Sequence, residues 1–138
     1  MIPPRKIVRY VERTEGKRFK KVPTYQYSTI PARGANHVSV ELDKSGKDKK
    51  VAKATIKIHK KYSKPIEDRQ HRYSTKGVDK LILIHEMREN LHFQHNPNPK
   101  SKTVHQHAIK QEPKDVAWLK KQGYLTKHSP NTKSRNYF

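Results

Sequence analysis

Residues Val78 to Glu112, VDKLILIHEMRENLHFQHNPNPKSKTVHQHAIKQE, constrain this chain more than any other stretch. They hold the longest apolar run, Leu81 to Ile84, and five of the nine histidines. Asn96-Pro97-Asn98-Pro99 cuts the stretch in two, because proline disfavours helix both at itself and at the residue before it. The spacing predicts one helix from Val78 and a second from about Ser101, a plausible N-cap. Pro113 is expected to close that second helix after Glu112. It can also open a third helix carrying Val116, Trp118 and Leu119, with Gly123 as its stop.

At about 100° per residue, Val78, Leu81, Ile82, His85, Glu89 and His92 fall on one face of the first helix. His85 and Glu89 are four residues apart and point the same way, which lets two side chains grip one metal ion. Glu86 lies beside the pair, the place from which a glutamate acts as general base on metal-activated water. His105 is the best third ligand, brought back by the proline-bounded turn. Glu112 shares its face, and can complete the coordination or orient a ligand histidine. Carboxylates and histidines on an apolar face need a neutralising cation. Arg88 falls on the edge of the first helix and Lys110 points away on the second, so a metal is the expected one. His and carboxylate ligands suit Zn2+, with manganese or ferrous iron as alternatives. A plainer reading stays open, in which His85 is a core histidine bonded to Glu112, and Glu89 pairs with Arg88 or Lys102. His92, His95, His107 and His128 are expected to be surface or loop residues.

The remainder is short, basic and poorer in apolar residues than an ordinary globular chain. Across 138 residues the apolar fraction is 31%, and 32 lysines and arginines face 12 acids, a net charge of +20. A small core with long basic arms is expected, and so is attraction to polyanions, nucleic acid first. Arg9, Arg18, Lys20, Lys21, Lys60 and Lys61, several interleaved with aromatic residues, are the candidate phosphate contacts. The absence of cysteine removes thiolate metal sites, disulfides and cysteine nucleophiles. No stretch approaches the ~20 apolar residues of a membrane span, and the N-terminus has no signal-peptide core. A cytoplasmic protein without a membrane partner is expected.

Domain boundaries are expected at 1–36, a basic arm or a hairpin turning at Glu15-Gly16-Lys17; at 37–125, an α+β domain; and at 126–138, a disordered basic tail. Within the domain, HVSVEL over His37 to Leu42 alternates Val38, Val40 and Leu42. Val51 to His59 alternates through Ala54, Ile56 and Ile58, and the two should pair as a hairpin. The expected fold is a small antiparallel sheet or hairpin followed by two to three helices.

The pattern His85-Glu86-x-x-Glu89-Asn90 preceded by LILI, then His105-x-x-Ala108-x-x-x-Glu112, resembles a group of small phage and prophage proteins. These look like minimal zincins, metalloprotease-like folds in which the HExxH-type helix lies beneath a strand. The resemblance covers about Thr55 to Tyr124. It implies His85, Glu89 and His105 as zinc ligands, Glu86 as base, and Glu112 as ligand or orienting group. It also implies virion association or phage-protein partners. Val104 departs from the alanine usual before the second histidine, and NPNPKSKT from the usual glycine-tyrosine turn. The leading expectation is a zinc-dependent hydrolase, most simply a peptidase. The alternative is a basic nucleic-acid-binding or virion-associated protein whose metal staples a small core. A metal-dependent nuclease ranks last, for want of clustered aspartates.

Overall fold

The computed structural model describes residues 1–29, 34–42, 44–46, 48–68, 73–96, 100–128 and 134–135. Its first element is a helix, α1 (Arg5–Glu15), where the sequence suggested an arm or a hairpin. Ile7, Val8, Tyr10 and Val11 sit at helical spacing and are all buried. Gly16 does take the positive φ expected of it, at 69°, but uses it to cap this helix, its N–H reaching the Glu12 carbonyl at 2.9 Å. The burial that four apolar side chains gain on one helical stripe outweighs the hairpin pattern, in which they would split between faces.

Three strands follow: β1 (Thr24–Ser28), β2 (Gly34–Leu42) and β3 (Asp48–His59), in the spatial order β1-β3-β2. β2 and β3 form the expected antiparallel hairpin, while β1 runs parallel to β3, so the sheet is mixed. Val51, Ala54, Ile56 and Ile58 of β3 are buried. Val51 and Ala54 are three apart and reach the same side because the register slips between Ser39 and Val40, absorbing one residue. Val40 and Leu42 do not join the core; the far end of β2 is exposed.

A 3-10 turn at Lys60–Ser63 leads to a second, antiparallel sheet of β4 (Ile66–Asp68), β5 (Tyr73–Lys76), β6 (Thr126–His128) and β7 (Ser134–Arg135). The expected tail from 126 therefore begins as a paired strand; its positions 129–133 and 136–138 lie outside the described residues. Gly77 links β5 to α2 (Val78–His95) at φ 95°, and a Cβ there would stand 1.8 Å from the Tyr124 carbonyl oxygen. Only glycine fits this crossing.

α2 is the centre of the molecule and touches α1, β2, β3 and α3. Leu83, Ile84, Met87 and Leu91 are fully buried alongside Ile82, so the helix is covered on nearly all sides. α3 (Ser101–Lys121) runs straight through Pro113 where two helices were expected. Val104, Ala108, Asp115 and Leu119 form one buried line along it. Packing on both sides of the proline holds the helix together despite the lost backbone bond. Pro97 to Pro99 of the predicted turn lie outside the described residues.

Arg88 is wholly buried rather than at an edge. Its Nε and Nη2 donate to the two Asp115 oxygens at 3.0 and 2.5 Å, and Nη1 donates to Thr14 at 2.9 Å. Tyr10 donates its hydroxyl to Asp115 at 2.7 Å and stacks on Trp118 with centroids 4.1 Å apart. One ion pair thus locks the three helices together. The architecture is α+β, two small sheets around three helices. Among the described residues no helix is long and apolar enough to cross a membrane.

Candidate metal centre

α2 and α3 lie side by side, and their facing sides bring the predicted residues into one group. His85 Nε2 faces Glu89 Oε2 at 2.5 Å, as the four-residue spacing requires. His105 Nδ1 stands 3.1 Å from the same His85 nitrogen and 3.0 Å from the same Glu89 oxygen. Two imidazole nitrogens and one carboxylate oxygen close a triangle. In a tetrahedral zinc site with ligands near 2.1 Å, ligand atoms lie about 3.4 Å apart, so an ion requires the two His105 edges to open by about 0.3–0.4 Å and the His85–Glu89 edge by about 0.9 Å. The donor set and its size fit a divalent metal.

Glu112 is not part of the triangle. Its Oε1 meets the other ring nitrogen, Nδ1, at 3.0 Å, behind His85. This contact fits an orienting role for Glu112 and equally the plainer reading of a core histidine bonded to it, and not the role of a ligand. Glu89 pairs with neither Arg88 nor Lys102; the first is committed to Asp115 and Thr14. Burial disfavours a charged His85, but the bond to Glu89 prevails and raises the imidazole above its ordinary value. Burial likewise opposes charge on Glu89, and its bonds to His85 and His105 prevail, holding the carboxyl below its ordinary range.

Glu86 is buried beside the triangle against strand β2. Asn36 donates Nδ2 to Glu86 Oε2. A Cβ on Gly34 would stand 2.8 Å from the Glu86 side chain, so the carboxylate occupies the space a larger residue would fill. The restraint continues inward: Gln94 donates to Asn90 Oδ1 at 2.8 Å and accepts the Lys20 N–H at 2.9 Å, while Asn90 reaches Asn36 at 3.5 Å. A cavity of about 280 Å³ is lined by Gly34, Ile82, His85, Glu86 and His105. Glu86 and both imidazoles therefore line the same space.

Gly34 and Asn36 carry no signal of this role in the sequence. They lie about fifty residues from Glu86, and an isolated Gly-Ala-Asn carries no motif. His92 and His107, expected to be surface residues, instead converge on Glu15 of α1. His95 does remain exposed, against the Arg18 carbonyl.

The basic candidates divide. Arg9 and Arg18 line an open groove along α1 of about 870 Å³, with Arg5, Arg13 and Lys17. Lys20 and Lys21 follow in the next segment, and Lys21 Nζ donates to the Ala52 carbonyl at 3.0 Å. Lys60 and Lys61 are on the 3-10 turn, where Lys61 sits over the Tyr62 ring, and neither lines the groove. Comparison with protein-family models, with curated proteins and with solved structures gives no match for this chain.

Proposed function

We propose that the chain is a zinc-dependent hydrolase of zincin-like type, most simply a peptidase, as its phage-type motif suggests. The observation that carries this reading is the shared cavity, onto which the Glu86 carboxylate, His85 and His105 all open. His85, Glu89 and His105 would hold the ion. Bound zinc would supply polarisation of a scissile carbonyl and a more acidic water. Glu86 would accept a proton from the attacking water and return it to the leaving amine. Asn36 and the tight fit against Gly34 fix the carboxylate in place, and Glu112 fixes the His85 ring. β2 lies at one edge of the three-stranded sheet and carries Gly34 and Asn36, so an extended peptide adding to that edge would run past Glu86.

The test is zinc content and peptide hydrolysis measured on the same samples. Wild type is expected to keep zinc through dialysis, and His85→Ala to lose the zinc of this centre. Glu86→Gln should keep it and lose hydrolysis about 10²-fold or more. Unchanged hydrolysis in a zinc-loaded Glu86→Gln chain would sink the reading.

A second reading, nucleic-acid binding, is favoured by one feature. Arg5, Arg9 and Arg13 repeat at four-residue spacing along α1 and line its groove with Lys17 and Arg18. Replacing Arg9 and Arg13 together by alanine should weaken binding to duplex DNA and flatten its salt dependence. Binding that ignores salt, or its absence in wild type, rules this out.

A further inference from the structure

The second histidine cluster joins the last residue of α1 to the two helices of the first centre. Glu15 of α1 is almost enclosed, its side chain only 4% exposed. Its Oε1 lies 2.7 Å from His107 Nε2 on α3 and 3.3 Å from His92 Nε2 on α2, and Oε2 lies 2.8 Å from His107. The two imidazoles meet edge to face, centroids 5.0 Å apart. One ligand atom from each residue falls within 4.8 Å of the other two. None of these three residues belongs to the His85 centre.

Charge gives the second argument. Among the described residues the cation paired with Glu15 is Arg88, whose Nη1 atom lies 3.4 Å away, but its other two nitrogens hold Asp115 on both oxygens. One guanidinium thus serves two enclosed carboxylates, which leaves one negative charge facing two imidazoles. A divalent ion between Glu15, His92 and His107 answers that charge. The donor set, two imidazoles and a carboxylate, suits zinc and its first-row neighbours rather than magnesium or calcium. His107 is partly open to solvent, so water can complete the coordination.

We propose that Glu15, His92 and His107 form a second, structural zinc-class site that staples α1 to α2 and α3. It stands apart from the hydrolase reading, because it shares no ligand with the first centre. In a chain with a small apolar core, a tie between three helices supplies stability that burial does not.

Zinc-saturated full-length protein, dialysed free of unbound metal, decides the matter. Two zinc ions per chain are expected in wild type and one each in His85→Ala and His107→Gln. The glutamine keeps a donor for Glu15, so the cluster stays hydrogen-bonded while losing a ligand. In the His85→Ala background, added zinc should shift the imidazole nitrogen resonances of His92 and His107 and raise Tm. That arm needs no change at the second site, so it holds even if His107→Gln misfolds. A His85→Ala chain that holds no zinc, with its His92 and His107 resonances unmoved, overturns the proposal and identifies the cluster as a hydrogen-bonded one. Failure of the first centre alone would instead show as one zinc in wild type, still present in His85→Ala and lost in His107→Gln.

Discussion

Asp115 ties α3 to both other helices, because Arg88 and Tyr10 both bond to it. Removing one partner of a buried ion pair strands the other charge without water, at about 3–5 kcal/mol. Asp115→Ala should therefore lower unfolding free energy by about that amount in urea titration, and a loss under about 1 kcal/mol would contradict the arrangement. Glu112 makes a different kind of contact. It touches only the far side of His85, so Glu112→Ala should weaken zinc binding about 10–100-fold without abolishing it. Complete loss of zinc would instead make Glu112 a ligand.

α3 poses the clearest question among the elements. Proline inside a helix removes a backbone bond and crowds the preceding turn, about 3 kcal/mol relative to alanine. The helix nevertheless spans Pro113, anchored by Val104 and Ala108 before it and by Asp115 and Leu119 after it. Pro113→Ala should then raise Tm, partly offset by the looser unfolded chain. A lower Tm would mean that the proline shapes a bend the packing needs. The other elements differ in how far they could be read. β2 and β3 were legible through alternation, and α2 through its apolar run and the Asn96-Pro97 stop. α1 was not, since IVRY fits a strand or a helix and only the partners of Ile7 and Val11 decide between them.

For the whole molecule, net charge and burial act together at high pH. Tyr10 is buried and Tyr27 partly buried, and they donate to Asp115 and Asp79, both at 2.7 Å. Burial first, then those bonds, hold both hydroxyls well above the ordinary tyrosine value. A folded-state value above the unfolded one contributes stability that is complete below about pH 10 and lost as pH rises past it. Tm should fall above that point, and less steeply in a Tyr10→Phe, Tyr27→Phe double variant. Tyrosinate absorbance should show a late-ionising component that the Tyr10→Phe, Tyr27→Phe double variant loses. All seven tyrosines titrating together in a folded chain would contradict this.

By itself the sequence determined the α+β class, the β2–β3 hairpin, the position of α2, and the group of His85, Glu89 and His105. Each of these follows from spacing along one element or from a neighbouring pair of elements, where helical or strand periodicity places side chains directly. Tertiary structure alone decided the rest. It made α1 a helix, buried Arg88 against Asp115, set Glu112 behind His85, and held Glu86 with Asn36 and Gly34. It also gathered Glu15, His92 and His107 from three helices. Those contacts join residues far apart in the chain, and no local period encodes which helix faces will meet; that choice belongs to the packing of a small core around α2.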